Sequence, residues 1–420
     1  MASRAPAAAV LVGALWIAGC GSSEPDRPHA TATPSPSVTA STSENPYMNL
    51  GQKELDKKLI AAAWDNDVKR SRLLIEAGGD VDAKDKTVQS AYLIATSEGH
   101  LRLLELTLDN GADVKSLDSW DGTGLIRASE RGHYDIVGRL LQADIDADHV
   151  NNLGWVGLHE ALEFAKPERA ADYVDTVRVL VAGGADVEIA ARRDGRSPVQ
   201  LAEKHGLSAQ AKILRKAAST TKVDQATADG RLLSASKQGD ADAAALALRA
   251  GASLEARNNL EQTPLLLASA NDHVDVARLL VALGADPDAL DHQHDTPWLV
   301  TGVTGSVKML ETLLPARPDM TIKNRYGGLS PIPAGERGHA AYIKRVVSTG
   351  VDLDHVNDLG WTALLETVIL GDGSKKYVEI VNTLVAAGVD TGIKDKDGRT
   401  ALDHARSKGY AAIVRALDTR

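Results

Sequence analysis

Gln262-Thr263-Pro264-Leu265-Leu266-Leu267-Ala268, then Val276-Ala277-Arg278-Leu279-Leu280, then Gly284-Ala285-Asp286, is the clearest copy of a degenerate unit that recurs along the chain. With the position of Thr263 as marker, the equivalent residues are Lys57, Ser90, Thr123, Val156, Ser197, Gly230, Thr263, Thr296, Ser330, Thr362 and Thr400. The steps between them are 33, 33, 33, 41, 33, 33, 33, 34, 32 and 38 residues. Self-similarity at a fixed period sets the architecture before any local reading does.

Each part of the unit has a physical reason. Thr or Ser at the marker caps a helix, and Pro after it occupies the first turn, where its missing N–H costs nothing. The apolar residues that follow recur at helical spacing and make a short inner helix. Gly at the junction, as in Glu98-Gly99-His100, Arg131-Gly132-His133 and Arg337-Gly338-His339, suits a left-handed helix end. A second, outer helix follows, with Leu73-Leu74, Leu103-Leu104, Leu140-Leu141, Leu279-Leu280 and Leu313-Leu314 as its apolar face. No single unit buries its own face, so stability comes from stacking on neighbours.

A 33-residue step with this opening, an Ala five positions after the marker, a Leu-Leu pair and a Gly-Ala-Asp close resembles the ankyrin repeat. The resemblance implies an all-α ankyrin-repeat solenoid of helix-turn-helix repeats with β-hairpin-like finger turns, over most of the chain after residue 54.

A second symmetry lies on top of the repeat. Asp148-His149-Val150-Asn151-Asn152-Leu153-Gly154-Trp155 returns as Asp354-His355-Val356-Asn357-Asp358-Leu359-Gly360-Trp361, 206 residues later. The expected organisation is therefore two related ankyrin blocks, 47–218 and 219–420. The junction near 219–229 lacks the Gly-Ala-Asp close and reads as a continuous stack, with a hinge between two arrays as the alternative. The extra residues behind the steps of 41 and 38 are expected to form extended loops between inner and outer helices. Gly302, Gly305, Pro333 and Gly335 mark the repeats of Thr296 and Ser330 as weak helix formers.

The N-terminus carries Arg4, an apolar stretch from Ala7 to Ala18 and then Ile17-Ala18-Gly19-Cys20, which contains the chain's one cysteine. Residues 1–19 read as a secretory signal, and the ending resembles a bacterial lipobox that places lipid on Cys20. The stretch is shorter than the ~20 residues a membrane span needs. Residues 20–46, rich in Ser, Thr and Pro, read as a disordered tether. The expected location is the extracytoplasmic face of a cell membrane, held by the lipid anchor only and resembling exported bacterial ankyrin lipoproteins.

Net charge is −10, and no basic stripe of the kind phosphate binding needs is visible. No Gly-rich phosphate loop, zinc-finger spacing or Gly-x-Ser-x-Gly elbow occurs. The expected function is a non-catalytic protein-binding scaffold with no cofactor and no nucleic acid, its partner an exported or surface protein. A hydrolase or metal-dependent enzyme and a passive spacer or small-ligand binder are the alternatives. The ankyrin resemblance implies a concave binding face made of fingers and inner helices. Carried over by position, that face holds Trp120, Trp155, Arg196, Gln262, His292, Asp295, Tyr326, Leu329, Trp361 and Arg399. Trp and Arg are the types that dominate binding energetics. Asp291-His292-Gln293-His294-Asp295 has metal-ligating chemistry but reads as a polar turn, and Glu160 and Glu366 are equivalent inner-helix acids, six repeats apart in a continuous stack.

Overall fold

Capping starts most of the inner helices where the pattern places them. The side-chain oxygens of Ser90, Thr123, Ser197, Thr263, Thr296, Thr362 and Thr400 each accept the N–H three residues on. In this computed structural model, which describes residues 45–418, the first ten helices are α1 (Gln52–Trp64), α2 (Val68–Glu76), α3 (Ala91–Glu98), α4 (Leu101–Asp109), α5 (Gly124–Glu130), α6 (Tyr134–Gln142), α7 (Gly157–Glu163), α8 (Ala170–Ala182), α9 (Pro198–Lys204) and α10 (Ser208–Ala218). They are followed by α11 (Gln225–Gln238), α12 (Ala241–Arg249), α13 (Pro264–Ala270), α14 (Val274–Ala282), α15 (Pro297–Thr304), α16 (Val307–Leu313), α17 (Pro331–Arg337), α18 (Ala340–Val346), α19 (Ala363–Leu370), α20 (Lys375–Ala387), α21 (Ala401–Ser407) and α22 (Ala411–Leu417). Odd numbers are inner helices and even numbers outer ones. Among the described residues the fingers are turns, with one isolated bridge between Lys394 and Thr400. The expected signal, Cys20 and all but the last two residues of the expected tether lie outside the described residues.

The recurrent Gly-His junction couples neighbours. Gly99, at φ 73°, packs beneath the His133 ring, where an added Cβ would lie 2.6 Å from the imidazole. Gly239 and Gly305 sit in the same way under His273 and His339. Those imidazoles reach back to the carbonyls of Lys237 at 3.0 Å and Val303 at 3.1 Å.

Inner helices stack in the order α1, α3, α5, α7, α9, and again from α11 through α13, α15, α17 and α19 to α21. The continuous stack expected at the junction is not found: the inner helices form two arrays, and the chain folds back between them so that outer helices of the two arrays pack together. Outer helix α12 packs on α8, and α14 packs on both α6 and α8. Gly138 of α6 makes this approach possible, since a Cβ there would fall 2.2 Å from the Ala282 carbonyl oxygen of α14. Gln142, the last residue of α6, donates to that same carbonyl at 2.7 Å, and Arg249 at the end of α12 donates to the Ala185 carbonyl at 2.8 Å. Like ends therefore meet: fingers of both arrays emerge at one end of the seam, while the two inner-helix faces lie on opposite flanks.

Charge fixes the seam. Asp175, buried on α8, lies between Arg178 at 2.9 Å and Arg278 of α14 at 2.6 Å, and Arg178 also reaches Asp242 of α12 at 2.8 Å. Farther along, Arg317 pairs with Glu105 of α4. The absent finger at 219–224 removes the element that would hold α11 on α9. Instead Asp224 caps α11 through the Thr227 N–H, and Val223 donates to the Ala250 carbonyl at 3.1 Å.

Three local expectations change. The insertion after α7 forms a 3-10 turn (Pro167–Arg169) and lengthens α8 to 13 residues, as α20 is lengthened to 13, with Gly371–Ser374 left non-helical. Gly302 and Gly335, weak formers by propensity, are required by packing: a Cβ would lie 2.0 Å from the Ser330 carbonyl oxygen at the first and 2.5 Å from Thr367 Oγ1 at the second. Ser330 is not the true marker. It is helical (φ −55°, ψ −31°) and caps nothing. Leu329 stands 33 residues from both Thr296 and Thr362 and occupies the marker position, which removes the anomalous steps of 34 and 32.

Candidate protein-binding fingers

A short polar side chain opens and organises most of the described fingers, the one before α9, opened by Ala191, being an exception. Asn151 Oδ1 accepts the N–H groups of Leu153 and Trp155 at 3.1 and 3.0 Å. Asp118 holds Trp120 and Gly122, Asn258 holds Leu260 and Gln262, Asp291 holds Gln293 and Asp295, Asn324 holds Tyr326 and Gly328, Asn357 holds Leu359 and Trp361, and Asp395 holds Asp397 and Arg399 in the same way. The residue two after the opener is thereby thrust outward, and the residue four after it turns back toward the inner helix.

This rule sorts the expected site residues. Trp120 and Tyr326, two after an opener, are each 55% exposed, and Arg325 lies over the Tyr326 ring at 4.7 Å. Trp155, Gln262, Asp295, Trp361 and Arg399, four after an opener, are half-buried, as is Arg196. Trp155 packs edge-on against Phe164, ring centroids 6.2 Å apart. His292 is exposed. Leu329 corrects the expectation of an exposed contact: at the marker position it is 3% exposed and joins the core. Sequence reasoning missed Leu153, Leu260 and Leu359, exposed at 41, 53 and 51%. Their signal is Asn followed two positions on by Leu.

Nine residues after the opener, several fingers are tied to their inner helix. Asp118 meets Arg127 at 3.3 Å, and Asp395 meets His404 at 2.6 Å. Asn151 Nδ2 donates to Glu160 Oε1 at 2.7 Å, and Asn357 Nδ2 to Glu366 Oε1 at 2.9 Å. Both glutamates are buried. Burial, then the facing carboxylates of Glu130 and Glu336, push Glu160 and Glu366 up to about 7. They form no joint site, since α7 packs among α5, α8 and α9 and α19 among α17, α20 and α21.

Among the described residues no three His, Cys, Asp or Glu side chains converge as a metal site, and Asp291 Oδ1 is committed to its own turn. A cleft of about 690 Å³ opens at the seam, with Tyr134 and Arg139 on one wall and Arg278 and Arg317 on the other. No described helix is long and apolar enough to cross a membrane.

The family model for ankyrin repeats matches residues 59–151, 92–191 and 232–324, which together span more than half of the chain. The chain belongs to the ankyrin-repeat family. Its matches leave a gap between 191 and 232, where this ankyrin chain folds back. It is 37% identical over 110 residues to ankyrin repeat protein YahD of Escherichia coli (strain K12), a match covering 26% of this chain and 55% of that relative. The chain thus spans about half the length of that curated relative. A crystal structure of an ankyrin repeat domain from Acinetobacter baumannii AYE is 39% identical, with a TM-score of 0.43 and coverage of 44% of this chain and 95% of its own. The ankyrin repeat protein EF0377 is 37% identical, with a TM-score of 0.44 and coverage of 45 and 97%.

Proposed function

We propose that this ankyrin chain is a non-catalytic protein-binding scaffold, anchored by lipid on Cys20, carried above an extracytoplasmic membrane face by residues 20–46 and bound to an exported or surface protein. The observation that carries the binding reading is the pair of exposed finger tips repeated 206 residues apart, Trp120 with Leu153 and Tyr326 with Leu359. Asn152 donates its N–H to the Trp120 carbonyl and Asp358 to that of Tyr326, which brings the two tips of each pair together, and contiguous exposed apolar surface marks interaction sites. Rigid aromatics gain contact area at low entropy cost. Trp155 and Trp361 extend each patch toward the inner helices, and the net charge of −10 disfavours nucleic acid. Because the arrays turn their inner faces apart, the scaffold holds two patches on opposite flanks and engages two ligand molecules at once.

A photo-crosslinking residue at position 153 or 359, on whole cells, tests this reading. The same adduct from both positions, absent when the residue replaces Lys212 on an outer helix, supports it. Adducts absent from both overturn it. The anchor is tested separately. Cys20→Ser should abolish labelling by a fatty-acid analogue, and labelling that persists would remove the lipid from the proposal.

A further inference from the structure

Two fingers, one in each array, share a device that the other described fingers lack. Asn151 orders Leu153 and Trp155 with its oxygen and gives its amide hydrogen to Glu160, and Asn357 orders Leu359 and Trp361 and gives its amide hydrogen to Glu366. Elsewhere the opener meets a partner of opposite charge, as Asp118 meets Arg127, or turns to a neutral amide, as Asn258 meets Gln262 at 3.0 Å. We infer that each Asn–Glu pair is a proton-operated latch, which fixes its Trp-bearing finger to the inner helix when the glutamate is neutral and releases it when the glutamate ionises.

The surroundings supply the driving force. Glu160 is 4% exposed, and its charged neighbours are Glu130 and Arg127 of α5 and Asp118 of the preceding finger. Arg127 is committed to Asp118 and Glu130. From α9, Lys204 and His205 engage Glu163, and Tyr173 of α8 gives its hydroxyl to the Glu130 carbonyl. Glu366, 6% exposed, faces Glu336 of α17. From α21, His404 is held by Asp395, and from α20, Lys376 and Tyr377 reach the carbonyls of Arg337 and Glu336. Among the described residues neither glutamate is paired with a cation, and the pull of Arg127 on Glu160 is outweighed by burial and Glu130. An ionised carboxylate here is relieved by turning to water. That motion breaks the bond to the Asn amide and frees the side chain whose oxygen orders the loop. The Asn amide bond favours the ionised form, but burial and the facing carboxylate outweigh it and bring this change near neutral pH.

The consequence for ligand capture rests on the reading of these fingers as binding surfaces, but the latch does not. Its test needs no partner, so its failure leaves the binding proposal standing. Hydrogen exchange of the full chain, corrected for intrinsic rates, is compared at about pH 5.5 and about pH 8.5, on either side of the expected change. Protection of amides 152–155 and 358–361 should fall about fivefold or more, and that of 259–262 should stay. Glu160→Gln should cancel the fall in the first finger alone and Glu366→Gln in the second alone. Carbon-13 titration of the wild-type glutamate carboxyls provides a second reading that requires no variant. An equal fall in 259–262, no fall, a fall that survives the Gln variants, or both carboxyls titrating at the ordinary glutamate value would each overturn the latch.

Discussion

Helices α6 and α8 and their duplicates α18 and α20 share one pattern, yet among the described residues the first pair alone is covered by outer helices of the opposite array. Tyr173 and Tyr377 fix the alignment, since their hydroxyls donate to the equivalent carbonyls of Glu130 and Glu336. Gly138, pressed against Ala282, corresponds to exposed Lys344. Asp175, between two arginines, corresponds to exposed Glu379; Arg178 corresponds to exposed Asn382, and buried Val179 to half-buried Thr383. The Leu positions that face the inner helices, Leu180 and Leu384, are the same and both are buried. The repeat pattern thus determines how each unit folds, and a few outer-face residues determine whether a unit is built upon.

Exchanging residues between the copies should break this contrast most sharply. Gly138→Lys puts a side chain where a backbone oxygen already lies and buries a charge, so it should cost about 3 kcal/mol or more and open the seam. A denaturation midpoint and the scattering radius would report it; an unchanged radius would mean the seam is not where the contrast arises. Arg278→Ala removes one of the two guanidiniums at buried Asp175 and should cost about 3 kcal/mol, with nothing comparable on mutating the duplicate's Asn382.

A third, intermediate effect concerns pH. Glu160 and Glu366 lie up at about 7 in the folded chain, above the ordinary glutamate value they regain on unfolding. Between those values the folded chain holds more protons than the unfolded one, so stability falls as pH rises through the window and levels off above it. The melting temperature should drop by several degrees from about pH 5 to about pH 8, and the double Gln variant should flatten the slope. Asp175 shifts in the same direction, raised by burial against the opposing pull of Arg278 and Arg178. The smallest effect belongs to Lys344→Gly, an exposed helical site where only propensity is lost, at about 1 kcal/mol. A larger loss there would show that the second copy also carries a cover.

Much of the fold was legible. Thr263, Ser90 and Thr400 cap where a hydroxyl before an apolar run belongs, and Gly99 and Gly338 end helices in the left-handed region as their junctions imply. The fold-back was not, because Gly138, Ala244 and Ala282 read equally well as solvent-facing or close-packed until a partner helix is placed against them. Leu329 was missed because Ser330-Pro331 imitates the Thr-Pro opening one position late, which drew the marker onto a residue that does not occupy it. In the fingers, attention to the residue before the marker found Trp155 and Trp361 but passed over Leu153 and Leu359. Only the hydrogen bonds of the opener reveal which of two nearby side chains points outward.

The seam also changes the order in which the molecule can be made. A simple solenoid is assembled from contacts close in sequence, so each unit can settle as soon as its neighbour exists. Here Asp175 must wait for Arg278, 103 positions later, and Glu105 for Arg317, 212 positions later. A chain emerging from the ribosome therefore completes its first five units with the outer faces of α6 and α8 still bare. Those faces, Gly138 and Val179 among them, are the surface most open to misassembly until α12 and α14 arrive to cover it.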